Sequence, residues 1–174
     1  MAAAWTLRPI RPEDQEFLYR VYASTRQEEL AVVAWSDAEK DAFLRAQFVA
    51  QHRHYLENYP SSVFDVVMVD GEPAGRLYLA RWPEELRIVD IALLPEYRGR
   101  GIGSELLGNV FTEAAGKGLP VRIHVERQSP ARRLYERLGF RLAADRGVYL
   151  FLEWQPGQAE VAAPGSGPAS PEAS

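Results

Sequence analysis

The residues best suited to chemistry lie in one run, Asp90-Ile91-Ala92-Leu93-Leu94-Pro95-Glu96-Tyr97-Arg98-Gly99-Arg100-Gly101-Ile102-Gly103-Ser104. It reads as the end of a buried strand, a short loop and the start of a helix. Pro95 lacks an N–H for a strand ladder and restricts the residue before it, so the strand ends there. Gly99, Gly101 and Gly103 follow at every second position, where glycine lets the backbone approach a ligand closely and take positive φ. A helix opening at Ile102 offers free N–H groups and a positive dipole end. That chemistry suits an anion, phosphate above all, and Arg98 and Arg100 stand ready to answer phosphate charge. A tight glycine-rich turn with no ligand is the plainer alternative. No Gly-Lys-Ser/Thr ending is present, so a nucleoside triphosphatase loop is excluded. A dinucleotide fold would place its glycines after the first strand. Here they come past mid-chain, which points to a different phosphorylated ligand.

Composition narrows the classes. The 174 residues suffice for one domain with a real core. A formal charge of −4 argues against nucleic acid or an anionic membrane surface as main partner and mildly favours a cationic substrate. With no cysteine, disulfides, thiolate catalysis and thiolate metal sites are excluded. Three histidines without HExxH-type spacing give no zinc site. No long apolar run and no basic-then-apolar leader is visible, so a cytoplasmic protein is expected.

The elements that must hold the loop follow from periodicity. Trp5 to Ile10 alternates as a first strand, and Pro12 opens a helix carrying Phe17, Leu18, Val21 and Tyr22. An apolar stretch from Gln27 to Trp35 follows. Ser36-Asp37-Ala38-Glu39 is a capping box for a helix to about Asn58, with Phe43, Leu44, Phe48 and Tyr55 inward and His52 and His54 outward. Val63–Val69, Ala74–Ala80 and Leu86–Leu94 read as a three-strand meander, its first turn at Asp70-Gly71. A helix from Ile102 to about Gly116 crosses to a parallel strand, Val121–Val125. Ser129-Pro130 caps a short helix, Ala131–Leu138, and Phe140–Leu142 and Val148–Trp154 are the last strands. The Pro-, Gly-, Ala- and Ser-rich remainder, 155–174, reads as a disordered tail.

This order, with Arg98-x-x-Gly101-x-Gly103, resembles the GNAT superfamily of acetyl-CoA-dependent N-acetyltransferases over roughly Trp5 to Trp154. A second segment, Ser129-Pro130-Ala131-Arg132-Arg133-Leu134-Tyr135-Glu136-Arg137-Leu138-Gly139-Phe140, is similar to the family's Asn-x-x-Ala-x-x-x-Tyr-Glu-x-x-Gly-Phe stretch, with Gln128 or Ser129 near the usual Asn. The resemblance implies an α/β fold: a mixed sheet of about seven strands in the order strand, two helices, three strands, helix, strand, helix, two strands. It implies that backbone N–H groups of Gly99, Arg100, Gly101, Ile102, Gly103 and Ser104, with Arg98, hold the pyrophosphate of acetyl-CoA. Ile91, Ala92 and Leu93 would pair with the pantetheine arm like an added strand, in a slot between the strands ending at Leu93 and Val125. Gln128 and Arg132 are further contacts so implied.

Acetyl transfer needs a neutral amine, donors for the oxyanion and a proton for the thiolate. A backbone N–H at Ile91 or Ala92 is a suitable oxyanion donor. The resemblance makes Tyr135 the acid for the thiolate, against a packed helix aromatic as the alternative. The base is open among Asp90, Glu126, His124, Glu28, Glu29 and water. Asp90 resembles an acidic position of the polyamine-acetylating branch, and its plain alternative is a strand-face ion pair with Arg76 or Arg87. The expected function is acetyl transfer from acetyl-CoA to a primary amine, small molecule or peptide, by direct attack. No metal is expected, and a homodimer is a permitted assembly. The rivals are a non-catalytic acyl-CoA sensor and a transferase for longer acyl groups.

Overall fold

The computed structural model describes residues 4–157; the segment expected to form a tail lies, from residue 158 on, outside the described residues. Seven strands form a mixed sheet in the order β1-β2-β3-β4-β5-β7-β6, with helices flanking it. The chain divides into two compact units, residues 4–80 with 89–102, and residues 81–88 with 103–157.

In the first unit, β1 (Trp5–Pro9) pairs antiparallel with β2 (Val63–Val69), and β2 with β3 (Glu72–Trp82), with a register shift at Val67/Met68. Asp70 (φ 50°) and Gly71 (φ 83°) make the β2–β3 turn, the two positive φ values that match a hairpin's twist. A single 3-10 turn at Pro12–Asp14 precedes α1 (Gln15–Ser24). The stretch Gln27–Trp35, expected only to be apolar, carries a five-residue helix, α2 (Gln27–Ala31), so three helices stand where two are expected. Beyond it Val32 is 87% exposed. α3 (Asp37–Asn58) starts at the expected capping box: the Glu39 N–H donates to Ser36 Oγ at 3.1 Å, and the Ser36 N–H to Glu39 Oε1 at 2.8 Å. The core here is Leu18, Val21, Tyr22, Leu30, Leu44, Phe48, Val66 and Leu94. Phe43 and Tyr55, expected inside, are only half-buried.

In the second unit, the first part of β4 (Glu85–Leu93) pairs parallel with β5 (Val121–Glu126), over Leu86–Ile88 against Val121–Ile123. β5 pairs antiparallel with β7 (Tyr149–Trp154), and β7 with β6 (Arg141–Arg146). α4 (Ile102–Lys117) and α5 (Arg132–Arg137) complete it. Leu106, Leu107, Leu86, Ile88, Leu150, Leu152 and Trp154 are fully buried, with the Phe111 ring stacked 4.3 Å from that of Trp154. β6 begins and ends later than expected because it is almost wholly exposed, so its apolar pattern carries little signal.

Candidate active site

The glycine loop grows out of the end of β4. The Leu94 N–H donates to the Ala74 carbonyl at 2.8 Å, Pro95–Tyr97 makes one 3-10 turn, and the Arg98 N–H donates to the Pro95 carbonyl at 3.1 Å. Gly99 (φ 73°) and Gly101 (φ 84°) both need the left-handed region, which reverses the backbone twice within three residues. The chain then enters α4 at Ile102, whose side chain is fully buried and pins the helix start. Gly103 differs: its φ is ordinary, and an added Cβ would meet only Leu134 Cδ2 at 3.8 Å. Arg100 lies 5.3 Å over the Tyr97 ring. Arg98, expected to face phosphate, is partly engaged within the protein. Its Nε donates to the Leu93 carbonyl at 2.9 Å and its Nη2 to Ser24 Oγ at 3.2 Å, which staples the loop to the ends of β4 and α1.

Ile91, Ala92 and Leu93 are half-buried. Sequence reading missed why β4 lies where it does here. A Cβ on Gly75 would sit 2.2 Å from the Ala92 carbonyl oxygen and 2.8 Å from Leu93 Cδ2, so only glycine permits the approach of β3.

Asp90 pairs with Arg76, one of its two expected ion-pair partners. Arg76 Nη2 donates to Asp90 Oδ2 at 2.5 Å, and the Tyr55 hydroxyl donates to the same oxygen at 2.9 Å. Arg76 is 2% exposed; its Nη2 also reaches Gln51 Oε1 at 2.9 Å, and its guanidinium lies 5.2 Å over the Tyr78 ring. Burial works against the Arg76 charge, but Asp90, with Tyr78 and Tyr55, outweighs it and holds the guanidinium's pKa above its ordinary value. Burial, then the Asp90 charge, raises the Tyr55 phenol. Tyr55 is thus no plain core aromatic, and Arg87, the other partner considered for Asp90, pairs with Glu85 at 2.7 Å.

The other base candidates are placed as follows. His124 is half-buried, its ring 4.6 Å from Phe151 and its Nε2 3.1 Å from Arg146 Nη1. Burial, then Arg87 and Arg146, hold its pKa below the usual histidine value. Glu126 and Glu28 are exposed. Glu29 is held by Arg26 through two bonds, at 2.7 and 3.0 Å. His52, expected to face outward, is half-buried and stacked 6.3 Å from Phe48.

In the second motif, Tyr135 is 5% exposed and edge-on to Phe140 at 5.7 Å. Gly139 (φ 107°) turns the chain after α5, and the Phe140 N–H donates back to the Tyr135 carbonyl at 3.0 Å. Ser129 is not the helix cap expected; its Oγ accepts the Ala131 N–H at 3.2 Å, one turn before α5. Arg132 pairs with Glu136 at 3.0 Å, and Gln128 is exposed. Among the described residues no cluster of three or more His, Asp or Glu could hold a metal, and no helix is long and apolar enough to cross a membrane. In the first unit, α1, α2, α3 and Leu94–Glu96 line an open groove of about 600 Å³, its floor formed by Leu30, Leu44 and Leu94.

Known proteins resemble this chain in sequence and in fold. A candidate ribosomal protein bS18-alanine N-acetyltransferase of Bacillus subtilis is 28% identical over 148 residues, 82% of this chain and 85% of that protein. The ribosomal protein bS18-alanine N-acetyltransferase of Haemophilus influenzae is 38% identical over 58 residues, 33% of this chain and 40% of that protein. Among solved structures, the PaiA N-acetyltransferase of Thermoplasma acidophilum in complex with coenzyme A superposes with a TM-score of 0.65 at 21% identity, covering 87% of this chain and 99% of that one. The ribosomal-protein-S18-alanine N-acetyltransferase of Escherichia coli gives 0.58 at 18% identity, covering 88% and 94%. The sequence profile of the acetyltransferase (GNAT) family matches residues 15–140, and with that match the chain belongs to the GNAT acetyltransferase family.

Proposed function

We propose that this acetyltransferase moves the acetyl group of acetyl-CoA to the N-terminal amine of a protein or peptide by direct attack. The observation that carries the donor is the turn into α4: left-handed Gly99 and Gly101 lead straight to a helix start, where unpaired N–H groups and the dipole favour a diphosphate. Ile91–Leu93 supply the strand for the pantetheine arm. The acceptor class rests on the relatives named for acetylating an alanine of a ribosomal protein, and a groove of about 600 Å³ is large enough for several residues of an extended peptide.

In this reading the neutral amine nitrogen attacks the thioester carbonyl. The C–N bond forms and the C–S bond breaks. The nitrogen's proton goes to water: Asp90, His124 and Glu29 are engaged within the protein, and Glu126 and Glu28 stand exposed in solvent. The sulfur leaves with the Tyr135 hydroxyl proton, and the phenolate regains a proton from water. No acyl-enzyme forms.

The test is thiol release from acetyl-CoA across peptides with N-terminal alanine, other N-terminal residues, polyamines, amino acids and aminoglycosides, with product mass by spectrometry. A mass gain of one acetyl group on the α-amine of an alanine peptide is expected. Transfer only to polyamines would replace the peptide reading. Binding of acetyl-CoA with no transfer to any amine would replace catalysis with sensing.

A further inference from the structure

We propose that Arg98 is a positioning residue for the donor and not a phosphate ligand. Its Nε holds the Leu93 carbonyl, and this bond fixes the strand meant for the pantetheine arm relative to the cradle meant for the diphosphate. The proposal rests on the acetyl-CoA reading above and deepens it.

One peptide unit is pinned at both ends. The Leu93 carbonyl and the Leu94 N–H lie in the same rigid plane. The Leu94 N–H donates to the Ala74 carbonyl of β3 at 2.8 Å, and the Leu93 carbonyl accepts from Arg98 Nε at 2.9 Å. Just before it, the Ala92 carbonyl oxygen lies against Gly75, where a Cβ would come within 2.2 Å. The end of β4 is therefore oriented by β3 and by Arg98 together. The guanidinium is itself aimed. Ser24 Oγ donates to the Val21 carbonyl at 2.7 Å, which leaves its oxygen to accept from Arg98 Nη2 at 3.2 Å. Arg98 thus folds back over its own loop and closes the segment 93–98. Inside that segment the Tyr97 N–H donates to the Leu94 carbonyl at 2.9 Å and the Arg98 N–H to the Pro95 carbonyl at 3.1 Å. Left-handed Gly99 and the cradle follow at once. The arm and the diphosphate belong to one ligand, which binds best when their two sites are held at matching spacing. The closed segment supplies that spacing. The bond that closes it needs an N–H and no charge. Glutamine carries its amide nitrogen as many bonds from Cα as arginine carries Nε, and that nitrogen also donates.

Calorimetry on two variants tests this. Arg98→Gln keeps a donor in the place of Nε without the charge, and Arg98→Met has similar length with neither. The probes are acetyl-CoA and phosphoadenosine diphosphate, the nucleotide end of the same molecule without the arm. Arg98→Met should weaken acetyl-CoA binding about fivefold, the scale of one hydrogen bond, and leave the nucleotide within about twofold. Arg98→Gln should restore acetyl-CoA binding to within about twofold of wild type. Equal losses of both probes in both variants make Arg98 a phosphate ligand and overturn the proposal. A loss of acetyl-CoA affinity in Arg98→Gln as large as in Arg98→Met also overturns it. So does an unchanged acetyl-CoA affinity in Arg98→Met, whatever happens to thermal stability. A wild-type protein that binds no acetyl-CoA would remove the donor reading itself; one that binds it, with both variants indistinguishable from wild type, removes this proposal alone.

Discussion

Gly101 carries two separable demands. Its φ of 84° is the left-handed region, and any side chain there is strained by roughly 1–2 kcal/mol. The proposed diphosphate adds a charge demand that a methyl group would not violate. Gly101→Ala should therefore weaken acetyl-CoA binding modestly, and Gly101→Glu should abolish it by setting a carboxylate against phosphate. Calorimetry on the pair separates strain from charge, and equal affinities would count against the cradle. Tyr135→Phe asks the complementary question. Its ring packs on Phe140 and should stay there, so acetyl-CoA affinity should hold while turnover falls by roughly 10²-fold, the usual scale for a lost general acid. Unchanged turnover would return Tyr135 to a packing role. Arg76 was named from the sequence as a possible partner of Asp90, but its deep burial was beyond sequence reading for a definite reason. Ala74 to Ala80 are all buried, so β3 is covered on both faces and alternation no longer marks an outward residue. An arginine in such a strand looks like a surface charge, and its partner comes from fourteen residues away, with Tyr55 from another element.

At the level of elements, what was legible had a local cause. The capping box at Ser36 starts α3 where the side-chain chemistry says it must, and β2 spans Val63–Val69 as its β-branched run predicts. α2 was missed because five residues are too few for periodicity to speak. The close contact of Gly75 with β4 was silent, since a glycine in a strand does not announce how near its neighbour comes. That contact predicts a sharp contrast. Gly75→Ala puts a methyl carbon 2.2 Å from a backbone oxygen, so a strand must move; a loss of about 3 kcal/mol is expected from such overpacking. The displaced atoms belong to Ala92 and Leu93, so acetyl-CoA affinity should fall as well. Gly108→Ala, inside α4, meets nothing within 4 Å and should stabilise by about 0.5–1 kcal/mol through helix propensity. Denaturant midpoints for both variants check the pair, and similar shifts for the two would mean that β3 and β4 give way easily.

Across the whole protein, acidification should act in two stages of the same sign. His52 is pushed below the usual histidine value by burial and then by Arg76, and His124 by burial and then by Arg87 and Arg146, with Glu85 opposing. A histidine whose folded pKa lies below its unfolded value, about 6.5, binds its proton less readily when folded. Its contribution to stability is present above pH 6.5 and is lost as the pH falls toward the folded value. The carboxylates follow. Asp14 is lowered by hydrogen bonding from Arg8, at 2.8 and 2.9 Å, and Glu113 by Arg81 and then Lys117. Their contribution is present above about pH 4 and is lost as the pH falls through their depressed folded values. The denaturant midpoint should thus be flat above neutrality, decline from about pH 6.5, and decline again below about pH 4. His52→Phe keeps the ring stacked on Phe48 and cannot be protonated, and His124→Gln keeps an acceptor for Arg146. The double variant should erase the first decline and leave the second. If the shoulder near pH 6.5 persists in it, these two rings do not set the protein's response to mild acid.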